Sequence, residues 1–180
     1  MAISLDGLEP EFKSKVEHLL DVCRASGVIM RPYTGLRKPS KQAKLWRQSR
    51  STEQIEAEIQ RLRDAGAPYL ASVLDKVGPQ HGPHVTNALP GLGWHQWGEA
   101  VDCFWAVDGR AVWSPELTID GINGYRFYAE TAQNIGLTAG GFWTSIKDWP
   151  HVQLRTTGSP ISAGMTFAQI DAIMKSRFQN

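Results

Sequence analysis

Apolar residues along this chain recur at two periods, and the switches between them mark out its elements. From Pro10 to Ser26 the positions Phe12, Val16, Leu19, Leu20 and Cys23 return every three or four residues, the spacing that gathers side chains on one side of a helix. Pro10 suits the first turn of that helix and Gly27 its end. The run Val28-Ile29-Met30 reads as a strand, followed by a loop from Arg31 to Pro39 in which Pro32, Gly35 and Pro39 supply turn chemistry. Arg37 is thereby placed on a loop beside a strand end. Helical spacing returns from Thr52 to Asp64 and from Pro68 to Val77, ahead of a Gly/Pro/His stretch, Gly78 to Gly93, long enough to be a functional loop.

The period then changes. Glu99 to Val107 alternates as a strand, with Ala100, Asp102 and Phe104 on one face and Val101, Cys103 and Trp105 on the other. A carboxylate in the middle of such a strand needs a partner, because burying it alone is costly. Gly124 to Ile135 is helical in pattern, Gly140-Gly141 breaks the chain, and His151 to Leu154 resembles a short strand after Pro150. Thr166-Phe-Ala-Gln169 has the form of a capping box opening a last helix, whose stripe is Phe167, Ile170, Ile173 and Met174. With no internal repeat, these elements predict helices around a small antiparallel sheet, an α+β fold, in a single domain spanning 1–180.

Composition narrows the partners. A chain of 180 residues buries one sizeable core, and a net charge of +1 gives no reason to expect nucleic acid or a membrane surface as partner. Nothing approaches the roughly 18 uninterrupted apolar residues of a membrane span. Asp6, Glu9 and Glu11 interrupt the place of a secretory h-region, so the expectation is synthesis in the cytoplasm without a signal peptide. Arg24, Arg31, Arg37, Lys38, Lys41, Lys44, Arg47 and Arg50 fall in a segment free of acid between Asp21 and Glu53, which reads as a solvated basic face. Cys23 and Cys103 lack CxxC spacing and read as buried thiols.

The chemistry concentrates in Gly93-Trp-His-Gln-Trp-Gly-Glu-Ala-Val-Asp102 and Lys147-Asp-Trp-Pro-His-Val-Gln153. A catalytic zinc takes three N or O ligands and keeps a fourth position open, and His95, Asp102 and His151 would supply that set. Such a metal retains positive charge and draws the pKa of a bound water towards roughly 7. Asp148 is left over as the carboxylate able to take a proton from the attacking water and return it to a leaving amine. Arg37 would stabilise an oxyanion or clamp a substrate carboxylate. Trp94 and Trp149 adjoin these residues and read as groove walls, whereas Trp97 and Trp143 read as core. His81 and His84 sit in a Gly/Pro context without a nearby carboxylate, and so read as surface loop. HExxH and GxSxG are both absent, and Gly91-Leu-Gly93 lacks the third glycine of a dinucleotide loop.

The first of these segments resembles the SxHxxGxAxD signature of the zinc D-Ala-D-Ala carboxypeptidase and L-alanyl-D-glutamate peptidase family, which includes phage endolysins and vancomycin-resistance dipeptidases. Asp148 and His151 match its later partner, a carboxylate three residues before a His. The resemblance runs from about Gly27 to Leu154 and implies zinc on His95, Asp102 and His151, Asp148 as base, and a substrate or transition-state contact by Arg37. Gly35-Leu-Arg37 with Gln42 looks like the family's G-x-R context with a Gln five residues on. Gly93 departs from the pattern, standing where Ser is usual. A hedgehog and lysostaphin-type fold is implied as well. The expected activity is cleavage of the peptidoglycan stem peptide between L-alanine and D-glutamate by a monomeric phage or prophage endolysin that reaches the periplasm through a separately made pore. The alternatives are a D-alanyl-D-alanine carboxypeptidase or dipeptidase with the same chemistry, and a non-catalytic zinc-stabilised module that binds cell wall.

Overall fold

A computed structural model describes residues 4–179. Their elements are α1 (Pro10–Ala25), β1 (Ile29–Thr34), α2 (Pro39–Arg47), α3 (Thr52–Asp64), α4 (Pro68–Lys76), β2 (Ala100–Val107), β3 (Arg110–Val112), α5 (Gly124–Asn134), β4 (Thr138–Ala139), β5 (His151–Gln153) and α6 (Phe167–Phe178). Every strand pairing is antiparallel, so the fold is α+β, as the periodicity predicts. The chain forms two compact units, Met1–Leu36 with Trp97–Thr156 and Arg37–Gln96 with Thr157–Asn180.

The first unit holds the sheet, in the order β1-β2-β5-β4 with β3 also on β2. One face of β2 turns Val101, Cys103 and Trp105 into the core, where they meet Phe12, Val16, Leu19 and Cys23 of α1 and Tyr125, Tyr128, Ala129 and Ala132 of α5. Each large apolar side chain removed from water here contributes roughly 1.5–3 kcal/mol. Gly124 opens α5 against the indole of Trp105, and a Cβ there would lie 2.4 Å from the ring. Both cysteines are buried, and burial pushes each thiol up to about 12, so neither is a nucleophile.

β1 runs four residues beyond Met30, through a segment whose prolines predict a loop. The reason is its position. β1 is an edge strand, where the N–H that Pro32 lacks is not needed, and the register slips between Pro32 and Thr34.

The second unit is helical. Its interior is Ile55, Ile59 and Leu62 of α3, Leu70, Ala71 and Leu74 of α4, and Ile170 and Met174 of α6. The capping box at Thr166 forms with both of its hydrogen bonds. α2 is absent from the periodicity because only Ala43 and Trp46 mark its apolar side, while its largest buried polar group is Gln42. Two of the basic residues predicted to be solvated serve packing instead: Arg47 donates to the Leu74 carbonyl at 2.8 Å, and the Arg50 guanidinium lies 4.0 Å over the Trp46 ring.

Candidate metal centre

Strand pairing in the first unit answers the question that Asp102 poses. In the β2·β5 ladder Asp102 stands directly opposite His151. Directly opposed residues share a face, here the one turned away from Val101 and Cys103. Both are buried, and His151 Nδ1 lies 3.0 Å from Asp102 Oδ1. On the ring's other side Nε2 lies 3.0 Å from Gln153 Oε1. The amide of Gln153 is oriented by its own Nε2, which donates to the Arg155 carbonyl at 2.6 Å. Its oxygen is therefore left to face the imidazole.

A neutral imidazole has one N–H and satisfies one acceptor; this ring faces two. Burial alone would lower the His151 pKa, and it is the largest single influence. The hydrogen bond and charge of Asp102, the charge of Asp148 and the Gln153 contact together outweigh it, so the pKa is raised. The pair is built to hold positive charge between Asp102 and Nδ1, supplied by a proton or by a metal cation.

The loop before β5 is held by close approach. Asp148 N–H donates to the Gly140 carbonyl at 3.0 Å and His151 N–H to the Asp148 carbonyl at 3.1 Å. A Cβ on Gly140 would stand 2.5 Å from the Asp148 carbonyl oxygen, and one on Gly141 would stand 2.3 Å from the Trp149 ring. The glycine pair that punctuates the sequence is thus the seat on which Asp148, Trp149 and His151 rest. Trp149 is half-buried, edge-on to Phe142 at 6.0 Å. Trp143, read from sequence as core, stacks obliquely 5.0 Å from the His151 ring and is only half-buried. Where β2 begins, Glu99 accepts two bonds from Arg155 at 2.6 and 2.7 Å, tying that end of the strand to the segment after β5. Neither Trp143 nor Gln153 carried a sequence signal of its own beyond lying near His151.

In the second unit, His95 sits in a single 3₁₀ turn, Trp94–Trp97, and is buried. Gly93 N–H donates to Gln96 Oε1 at 3.1 Å, so a backbone donor works at the position where the related signature has a serine. His95 in turn accepts from the Arg37 N–H at 3.1 Å through its carbonyl. Arg37 is half-buried and donates through Nη1 to Gln42 Oε1 at 3.0 Å. Gln42 is fully buried and also donates to the Ala88 carbonyl at 2.7 Å, an arrangement that orients Arg37. Trp94 is buried, its Nε1 donating to the Thr157 carbonyl at 2.6 Å. His81 and His84 are exposed.

His95, Asp102 and His151 each offer one ligand atom, and these atoms lie within 4.8 Å of one another; among the described residues no other group of His, Cys, Asp or Glu does the same. Two imidazole nitrogens and a carboxylate oxygen are the donors that zinc takes while leaving a position open. The residues fit the ion, and the two acceptors around His151 say independently that the pocket is built for a cation.

Comparison with known proteins gives the following. A family profile described as VanY, D-alanyl-D-alanine carboxypeptidase, matches residues 6–136. No curated protein matches the sequence. Among solved structures, the L-Ala D-Glu endopeptidase ChiX of Serratia marcescens is 19% identical, with a TM-score of 0.46, covering 84% of this chain and 83% of that one. The vancomycin-resistance D,D-pentapeptidase VanY from a VanB-type cassette, in complex with Zn(II), is 20% identical with a TM-score of 0.46, covering 91% and 83%. VanYB in complex with D-alanine-D-alanine is 19% identical with a TM-score of 0.44, covering 94% and 83%.

Proposed function

This chain belongs to the VanY D-alanyl-D-alanine carboxypeptidase family and is a zinc peptidase of peptidoglycan; from that premise we propose that it cuts the stem peptide between L-alanine and D-glutamate, with His95, Asp102 and His151 as the zinc ligands. The observation that carries the reading is the gathering of those three ligand atoms within 4.8 Å. A zinc ion bound there supplies Lewis acidity towards a carbonyl oxygen and towards water.

The protein's own groups do the rest. Asp148, half-buried and three residues before His151, holds at its carboxylate the proton taken from the attacking water and delivers it to the leaving amine. Arg37, oriented by Gln42, places a fixed positive charge for an oxyanion or a substrate carboxylate. Gln153 keeps the His151 ring turned so that Nδ1 faces Asp102. Trp149, half-buried beside Asp148, walls the groove; Trp94, read from the sequence as a second wall, is buried, its indole N–H anchored to the Thr157 carbonyl. The biological role that fits is a monomeric phage or prophage endolysin, made in the cytoplasm and released to the periplasm through a separate pore.

A second reading is favoured by the description of the family itself: release of terminal D-alanine by the same machinery. Product mass from a defined muropeptide separates the two, since scission after L-alanine and loss of D-alanine leave different fragments. For the chemistry, Asp148→Asn is expected to bind zinc normally while kcat falls by about 10²–10⁴-fold. Undiminished wall hydrolysis by that variant would remove Asp148 from the mechanism. Full activity after exhaustive chelation would remove the metal from the mechanism, whereas zinc binding without any hydrolysis would favour the non-catalytic, zinc-stabilised module that binds cell wall.

A further inference from the structure

The sheet face that carries Asp102 and His151 does not end at them. Two residues along β2 on the same face comes Phe104, and its ring meets those of Tyr33 at 6.3 Å and Trp113 at 5.7 Å. Tyr33 and Trp113 meet each other edge-to-face at 5.2 Å. This is not core. Trp113 is 57% exposed and Tyr33 37% exposed, while the hydrophobic interior of this unit lies on the sheet's other face. Arg31, exposed and directly opposite Phe104 in the β1·β2 ladder, borders the cluster with a positive charge. An exposed aromatic cluster of this kind is a recognition surface more often than an accident of packing.

We propose that Tyr33, Phe104 and Trp113 form a platform that binds a sugar ring of the glycan strand, the ring from which the cleaved peptide hangs. The inference rests on the proposed cleavage after L-alanine and gives it a geometric reason. In peptidoglycan the stem peptide joins an N-acetylated amino sugar through a lactyl group, and L-alanine is its first residue. When the bond after that alanine is cut, the sugar follows within one residue and one lactyl group, about 3.5 Å of extended chain for the residue. Along β2 the step from Asp102 to Phe104 is about 7 Å. With the alanine side of the substrate running along β2 from Asp102 towards Phe104, the platform begins at the distance of the sugar. For cleavage at terminal D-alanine the sugar would be several residues farther off.

The chemistry agrees. A pyranose presents a face of C–H bonds, electropositive at the hydrogens, and the faces of aromatic rings are negative, so the two stack while the sugar's hydroxyls stay in water. Rings set at 42° to 85° to one another, as these are, shape a cradle instead of a flat sticky patch. Arg31 is complementary to the carboxylates of the stem peptide.

The test compares hydrolysis of a stem peptide bearing its disaccharide with hydrolysis of the same peptide without sugar, in the zinc-loaded protein. The parent is expected to prefer the disaccharide-bearing substrate in kcat/KM by about fivefold to tenfold, the scale of one aromatic stacking contact. Trp113→Ala should abolish the preference and leave the sugar-free rate unchanged; Trp113→Tyr should keep most of it. A parent without the preference, or a Trp113→Ala protein that retains it, overturns the platform. Independently, a tetramer of N-acetylglucosamine should shift the indole N–H resonance of Trp113 in the parent, and an unmoved resonance counts against the proposal. If the parent cuts neither substrate after L-alanine, the proposed function has failed, whereas the resonance experiment still decides the platform by itself.

Discussion

The imidazole of His151 shows how much a single side chain depends on what surrounds it. Its raised pKa is a balance in which burial loses to Asp102, Asp148 and Gln153 acting together. Gln153 is the partner with no charge of its own, and its oxygen is aimed only because its nitrogen is bonded to the Arg155 carbonyl. Gln153→Ala is accordingly expected to weaken zinc binding by about 10–100-fold with the fold intact, read by competition against a chromogenic chelator. Unchanged affinity would mean that the ring is oriented by Asp102 alone. Gly140 makes a second claim at this scale. Gly140→Ala drives a methyl group to 2.5 Å from the Asp148 carbonyl, and such overpacking costs about 1–3 kcal/mol in a denaturant melt. Gly158→Ala, where a Cβ meets nothing within 4 Å, is the control that should stay near zero. Equal melts for the two variants would deny that Gly140 seats the Asp148 loop.

Elements here were legible wherever a face is apolar and hidden wherever it is not. α1, α3 and α5 follow their stripes almost to the residue, since their buried positions are the periodic ones. α2 has too few apolar residues to register, and β1 continues through Pro32 because edge position cancels the penalty that proline carries inside a sheet. α4 and α6 show an element completing another: Asp171 of α6 is buried and accepts from the Leu70 N–H at 2.7 Å, capping a helix that begins with Pro68 and has no cap of its own. Asp171→Ala should lower stability by about 1–2 kcal/mol, measured as the urea midpoint, with Asp171→Asn recovering most of it. A neutral Asp171→Ala would show that water caps α4 equally well.

Metal, proton and folding are linked over the whole molecule. In metal-free protein His151 has a raised pKa, so its contribution to stability is fully present below the ordinary value of 6.5 and is lost as pH rises through the higher folded value. The melting temperature of chelated protein should therefore fall, from this group, as pH rises above the ordinary 6.5 and through the raised folded value. Zinc displaces the same proton, so the gain in melting temperature on adding zinc should grow over that interval. A zinc-induced gain that shrinks as pH rises would contradict the placement of His151 among the ligands.

The sequence by itself determined the α+β class and the course of most helices, because periodicity records which face is buried, and it singled out His95, Asp102 and His151 as candidates through a resemblance to a known signature. What it could not record is juxtaposition. Only the antiparallel ladder puts Asp102 opposite His151, forty-nine positions away, turns Gln153 to hold the ring, and makes a glycine pair into the seat of a loop. Pairing register and close approach are properties of chains brought together in space, and one-dimensional spacing carries neither.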